Sequence, residues 1–193
     1  MFFPSDVLEV NKALIKKQIS GSSTYIGKLE EKFTQFIGMK YGIAVSNGSV
    51  ALDLALQTLD LDENDEIILP AFSIISCLSS IIRTGAKPVF SDVDKKTWNI
   101  TLDEIKKYKS SRTKGVLVVH TYGLPAEIDE ISKYCKENKV KAIGISDTSN
   151  LCGSLEFSEQ ISKSKTQPII GSQIKFKFND IIGSLPIIAK NSD

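Results

Sequence analysis

The sequence predicts an α/β fold, a mostly parallel sheet with helices on both faces. Two observations carry that expectation. From Ile43 to Asp147, short apolar runs alternate with stretches of helical period, at the spacing a parallel sheet with crossover helices requires. The strands then end on a site-like set, Ser46–Ser49, Pro70–Ser73, Asp92, His120 and Asp147. Parallel sheets gather their ligands at the carboxyl ends of strands.

Each element has a local reason. Asp6–Ile19 carries Val7, Leu8, Val10, Leu14, Ile15 and Ile19 at helical spacing, with Ser5 or Asp6 as cap. Ser20–Thr24 is a polar loop. Tyr25–Ile37 is an amphipathic helix with Ile26, Leu29, Phe33, Phe36 and Ile37 on one side, and Gly38 is placed to end it. Ile43–Val45 reads as a short strand and Ser46–Ser49 as a turn. Ser49 is expected to cap the helix that runs from Val50 to Leu59. A glycine turn opening a helix presents free amides at the positive end of a helix dipole, which suits a phosphate.

Glu66–Leu69 is a buried strand stopped by Pro70. Phe72–Arg83 reads as a helix closed by Gly85, and Pro88–Asp92 as a strand. Leu102–Tyr108 is a helix with Thr101 as cap, and Gly115–Val119 a strand followed by the loop Tyr122–Pro125. Glu127–Asn138 is a helix with Ile128, Ile131, Tyr134 and Cys135 inward. Lys141–Ser146 is a strand ending at Asp147. After Gly153 the text changes. Ser154–Pro168 reads as irregular, Ile174–Phe178 as an alternating strand, and Leu185–Ala189 as another apolar run.

Composition narrows the functional classes. The 193 residues suit one domain, or one domain and part of another. A net charge of +1 gives no electrostatic case for nucleic acid or an anionic membrane surface. No apolar run is long enough to span a bilayer, and Met1–Pro4 lacks the features of a secretory signal. Cys77, Cys135 and Cys152 are odd in number and widely spaced, which fits a reduced, cytoplasmic setting. One histidine, His120, excludes a multi-histidine metal site; no metal is expected, and His120 is read as a buried, hydrogen-bonded side chain.

The segments YGIAVSNGSVALDLAL, NDEIILPAFS, GAKPVFSDVDKKTWNI, RTKGVLVVHTYGLPAEID and ISDTSNLCG together resemble the DegT/DnrJ/StrS family of sugar aminotransferases, from about Tyr25 to Gly153. The resemblance implies the large domain of the aspartate-aminotransferase fold and pyridoxal phosphate as cofactor. Gly48 and Ser49 match the pair that holds the cofactor phosphate. Asp147 matches the carboxylate that keeps the pyridine nitrogen protonated, so that the ring accepts electrons. Asn150 stands where the family has Gln or His near the ring oxygen. The implied substrates are a keto-sugar nucleotide and glutamate as amino donor. The implied assembly is a homodimer or a pairing with a related subunit, without nucleic acid or membrane. On this reading residues 1–24 are an N-terminal helix and loop. Residues 25–193 are the large domain, diverged over 154–193, and the small C-terminal domain is absent.

Three departures qualify the resemblance. Ile74 stands where the family places an aromatic residue to stack on the cofactor, and isoleucine has no π-face. The family's cofactor-binding lysine precedes a glycine-rich turn. With Gly183 as the first glycine of that turn, the lysine position falls at Phe178–Asp180, which holds no lysine, and no histidine replaces it. Lys175 and Lys177 are the nearest candidates, but on an alternating strand both face one way and are expected in solvent. The third departure is that small domain. The alternative to an enzyme is therefore a non-catalytic large-domain fragment that binds a phosphate ligand or pairs with another subunit.

Overall fold

The computed structural model describes residues 4–37, 39–140, 142–148, 167–178 and 181–190. Its strands are β1 (Tyr41–Ala44), β2 (Glu66–Pro70), β3 (Lys87–Ser91), β4 (Thr113–Val119), β5 (Ala142–Thr148), β6 (Gln167–Phe178) and β7 (Ile181–Lys190). Its helices are α1 (Pro4–Ile15), α2 (Thr24–Ile37), α3 (Gly48–Gln57), α4 (Ile75–Arg83), α5 (Leu102–Tyr108) and α6 (Ile128–Glu137), with a 3-10 turn over Thr121–Gly123. No helix among the described residues is long and apolar enough to cross a membrane.

The seven strands form one sheet in the order β1-β7-β6-β5-β4-β2-β3. The pairs β2/β3, β2/β4, β4/β5 and β5/β6 are parallel. Only β7 runs against its neighbours, β6 and β1. The other six strands therefore point the same way and end on one edge. The expected mostly parallel sheet is what forms.

Helices cover both faces, and the two core clusters show how. On one side Ile68, Val116 and Val118 pack with Ile105 of α5 and Ile131 and Cys135 of α6. On the other, Ile67, Leu69 and Leu117 pack with Leu56 of α3 and Cys77 and Ile81 of α4. Successive residues of β2 and β4 serve opposite layers, which is the period of two that a doubly covered strand obeys.

Below the core, at the amino edge of the sheet, Glu66 is buried. Its carboxylate pairs with Arg112 and accepts the Ser110 hydroxyl, so the charge does not enter the interior uncompensated. Lys114 pairs with Asp65 beside it, at 3.3 Å.

Several boundaries differ from the sequence reading. The first helix starts at Pro4 and stops at Ile15, ahead of Ser5 and Asp6 and short of Ile19. Proline suits a first turn because its missing N–H is not needed there. The chain then turns through Lys17 at φ 54°, with the Gln18 amide donating to the Ala13 carbonyl. Phe72–Ile74 is not helical. The Ser73 hydroxyl donates to the Pro70 carbonyl and holds a loop, and Ile74 becomes the N-cap of α4. Asp147 lies within β5 rather than after it. Gly38 and all but the last two residues of the stretch Ser154–Pro168 lie outside the described residues.

Ile68 is fully buried. Ile68→Ala is expected to lower the unfolding free energy by about 2–5 kcal/mol, read from the urea midpoint at unchanged m-value. Burial raises the thiols of Cys77 and Cys135 from 9.0 to about 11 and about 12. A raised thiol pKa favours the folded state below the unfolded value, and that contribution fades as pH climbs through it. Both thiols are therefore expected to resist iodoacetamide in the native protein at pH 7 and to label once urea unfolds it, as peptide mass mapping would show.

Candidate active site

The sheet register gathers the carboxyl edge into a line. Ala44 of β1 pairs with Ile187 of β7, Ile187 with Ser172 of β6, and Ser172 with Asp147 of β5. Val119 pairs with Ser146, so His120 follows directly beside Asp147. The turn 45–47 leaves Ala44 at one end of this line and opens α3. The proposed phosphate turn and Asp147 are thus on one edge, three strand spacings apart, roughly 14 Å.

The turn is built differently from the expectation. Asn47, not Ser49, is the N-cap: its side-chain oxygen accepts the Val50 amide at 2.9 Å. The shift follows from geometry, because the helix begins two residues earlier than the apolar pattern does. It leaves the Ser49 hydroxyl free for a partner on another element, the Ser76 hydroxyl of α4, at 2.7 Å. The Ala51 amide donates to the Asn47 carbonyl, the first bond of the helix. The amides of Gly48 and Ser49 precede it and lie open at the positive helix end. An added Cβ at Gly48 would meet nothing within 4 Å, so the space above the turn is clear. Two open amides, two hydroxyls and a helix dipole make a donor set that fits a phosphate monoester.

The other sequence candidates divide. Asp147 takes its place in the line by register. Asn150 lies outside the described residues. Lys175 and Lys177 lie on β6 beyond its last pairing with β5, on the part of the β6–β7 ladder that projects past the carboxyl edge. By alternation they share parity with Gln173, whereas Asp147 pairs with Ser172, which shares parity with Ile174 and Phe176. Position 178 has the parity of Asp147, and it is a phenylalanine. His120 is buried, and its Nδ1 accepts the Ala126 amide at 3.1 Å, as the sequence reading held.

Two features at this edge were not foreseen. Ser76 is one; a serine among several in a helix gives no signal of its own. The other is a tie between two loops. Asn99 is buried. Its Nδ2 donates to the Leu124 carbonyl at 2.9 Å, and its Oδ1 accepts the Thr121 amide at 2.9 Å. The Thr121 hydroxyl in turn donates to the Trp98 carbonyl at 3.0 Å. Asp94 shapes the same loop. Its carboxylate accepts the amides of Thr97 and Lys96 and the Thr97 hydroxyl, and the Thr97 amide first, then these others, hold it below the usual carboxylate range.

The chain is similar to known proteins over most of its length. The model of the DegT/DnrJ/EryC1/StrS aminotransferase family matches residues 4–161. GDP-perosamine synthase of Escherichia coli O157:H7 is 37% identical over 134 residues, 69% of this chain and 37% of the relative. A dTDP-4-dehydro-2,3,6-trideoxy-D-glucose 4-aminotransferase of Saccharopolyspora spinosa is 35% identical over 116 residues, 59% of this chain and 30% of the relative. The solved aminotransferase of Psychrobacter cryohalolentis superposes on the whole chain with TM-score 0.75 at 26% identity, covering 48% of that structure. The aminotransferase TlmJ of Streptoalloteichus hindustanus does so with TM-score 0.79 at 22% identity, over 52% of its length. The chain thus spans about a third to a half of the length of the proteins it matches.

Asn99→Ala removes both bonds of the loop tie and leaves the buried Thr121 amide unpaired. It is expected to cost about 1–3 kcal/mol, and faster amide exchange at Thr121 is the local readout.

Proposed function

Since the chain belongs to the DegT/DnrJ/EryC1/StrS aminotransferase family, we propose that it supplies the cofactor-binding half of a pyridoxal-phosphate-dependent aminotransferase acting on a keto-sugar nucleotide, with glutamate as amino donor. The observation that carries this reading is the carboxyl edge itself: one register line joins the open turn at Gly48 and Ser49 to Asp147. When bound, pyridoxal phosphate supplies an electron sink for the substrate carbon that loses its proton.

The residues divide the work. The Gly48 and Ser49 amides and the Ser49 hydroxyl, steadied by Ser76, bind and orient the phosphate. Asp147 keeps a proton on the ring nitrogen, and Asn150 contributes an amide near the ring oxygen. Nothing in the turn needs to move for this. The Asn47 cap and the Ser49–Ser76 bond hold the helix end, which lowers the cost of ordering at binding.

Proton transfer at the substrate carbon needs a base, and in this family a lysine serves. A second reading therefore stands on a specific observation, the opposite parity of Lys175 and Lys177. Under it the chain binds the cofactor or pairs with a related subunit without turning over by itself. Either way the assembly is a dimer or a mixed pair, and the setting is cytoplasmic. The domain reading, residues 25–193 as a diverged large domain, belongs to the same proposal.

Titration with pyridoxal phosphate, followed by absorbance and equilibrium dialysis, tests both. Saturable binding that Ser49→Asp weakens at least about tenfold, by placing a like charge at the turn, is the expected result. Borohydride reduction followed by peptide mapping separates the two readings. An adduct on Lys175 or Lys177 supports catalysis by this chain; binding without any adduct supports the second reading. Absence of binding rejects the first reading and the cofactor-binding form of the second.

A further inference from the structure

Among the described residues, five other than glycine have positive φ: Lys17, Asp60, Trp98, Tyr122 and Lys139. Lys17, Asp60 and Lys139 follow the ends of α1, α3 and α6, where a left-handed residue commonly terminates a helix. Trp98, at φ 59°, ends a turn in which its amide donates to the Asp94 carbonyl, and Tyr122, at φ 55°, is a central residue of the turn in which the Leu124 amide donates to the Thr121 carbonyl. Bulky aromatic side chains are uncommon at such positions, where glycine and asparagine are favoured.

Both lie on loops at the carboxyl edge, and both lean on one ring. Phe72 sits 4.9 Å from Trp98 and 6.3 Å from Tyr122 between ring centroids, with interplanar angles of 49° and 54°. None of the three is a core residue: they are 41%, 47% and 88% exposed. The backbone beneath them is nonetheless fixed, by buried Asn99 and by Thr121. Rigid loops that hold aromatic side chains out in water describe a recognition surface better than a packing accident.

Its position and charge select an occupant. Phe72 is four residues before Ser76, which bonds Ser49 of the phosphate turn. Lys95 and Lys96 are exposed on the same loop as Trp98. The same loop carries two acids: Asp94, held by the amides of its own turn and within the field of Lys96, and Asp92, which accepts the Val93 amide. Flat π-faces beside two exposed lysines match a heteroaromatic base carrying a diphosphate.

We propose that Phe72, Trp98 and Tyr122 form the platform on which the base of a nucleoside diphosphate stacks, with Lys95 and Lys96 meeting its phosphates. This rests on the keto-sugar nucleotide reading and places the nucleotide end of that substrate. Asn99 is a positioning residue for the platform.

The chain contains a single tryptophan, so its emission reports on Trp98 alone. GDP, UDP and dTDP are each titrated onto the full chain, with inorganic pyrophosphate and ribose 5-phosphate as base-free controls and free tryptophan amide correcting for absorbance. The expected result is saturable quenching by at least one nucleotide and none by the controls. Tyr122→Ala should weaken it roughly five- to hundredfold, the range of one lost stacking contact, whereas Tyr122→Phe should keep it. Lys95→Ala with Lys96→Ala should weaken the diphosphate more than the free nucleoside. Quenching by pyrophosphate alone, an unchanged affinity in Tyr122→Ala, or no response to any nucleotide at millimolar concentration overturns the platform. So does an emission shift that follows protein concentration without ligand, which marks the surface as a contact between copies. Dialysis of pyridoxal phosphate on the same sample keeps the two ideas apart. Cofactor binding without quenching sinks the platform only, and quenching without cofactor binding sinks the cofactor reading only.

Discussion

The burial of β2 and β4 on both faces constrains everything else in this molecule. A strand covered by helices on both sides pairs best with parallel neighbours, because each crossover helix returns the chain to the same edge. Ile67, Ile68 and Leu69 meet this condition in three consecutive residues, facing one layer, then the other, then the first again. Once β2 and β4 are so placed, β3, β5 and β6 follow in parallel, and their carboxyl ends are delivered to one edge. β7 is the single reversal. It restores β1 to the common direction, so the turn at Gly48 lands on the edge that carries Asp147.

That edge is where weak local features gain chemical meaning. A capped helix start is common, and an aspartate near the end of a strand is common. Their joint position is not, and it is set by hydrogen-bond register rather than by either residue. The same edge carries Asn99, whose two bonds lock the loops after β3 and β4 together. The site therefore consists of a sheet that sets distances and two loops that set side-chain presentation.

Much of this was legible in the chain. The alternation of strand and helix from Ile43 to Asp147 required an open parallel sheet, and five segments in family order pointed to aminotransferases. Thr101 as a cap and His120 as a buried acceptor were readable because their signals are local. Other features were misplaced for equally local reasons. Ser49 and Asn47 are both good caps, and only the path of the chain out of β1 decides between them. Phe72–Ile74 has helical spacing, yet the Ser73 hydroxyl spends its bond on the Pro70 carbonyl and delays the helix. Ser76 and Asn99 carried no usable signal, since a partner 27 or 22 positions away is invisible to spacing rules.

Sequence alone thus determined the fold class and the family, because periodicity and residue chemistry are properties of neighbours along the chain, and it singled out Gly48, Ser49 and Asp147 as the residues to propose for a site. The tertiary structure decided the strand order, the parity that sets Lys175 and Lys177 apart from Asp147, and the meeting of Phe72, Trp98 and Tyr122. These depend on register and on loop closure. Both are fixed by contacts between segments far apart in the chain, where a shift of one residue would exchange the faces of a strand.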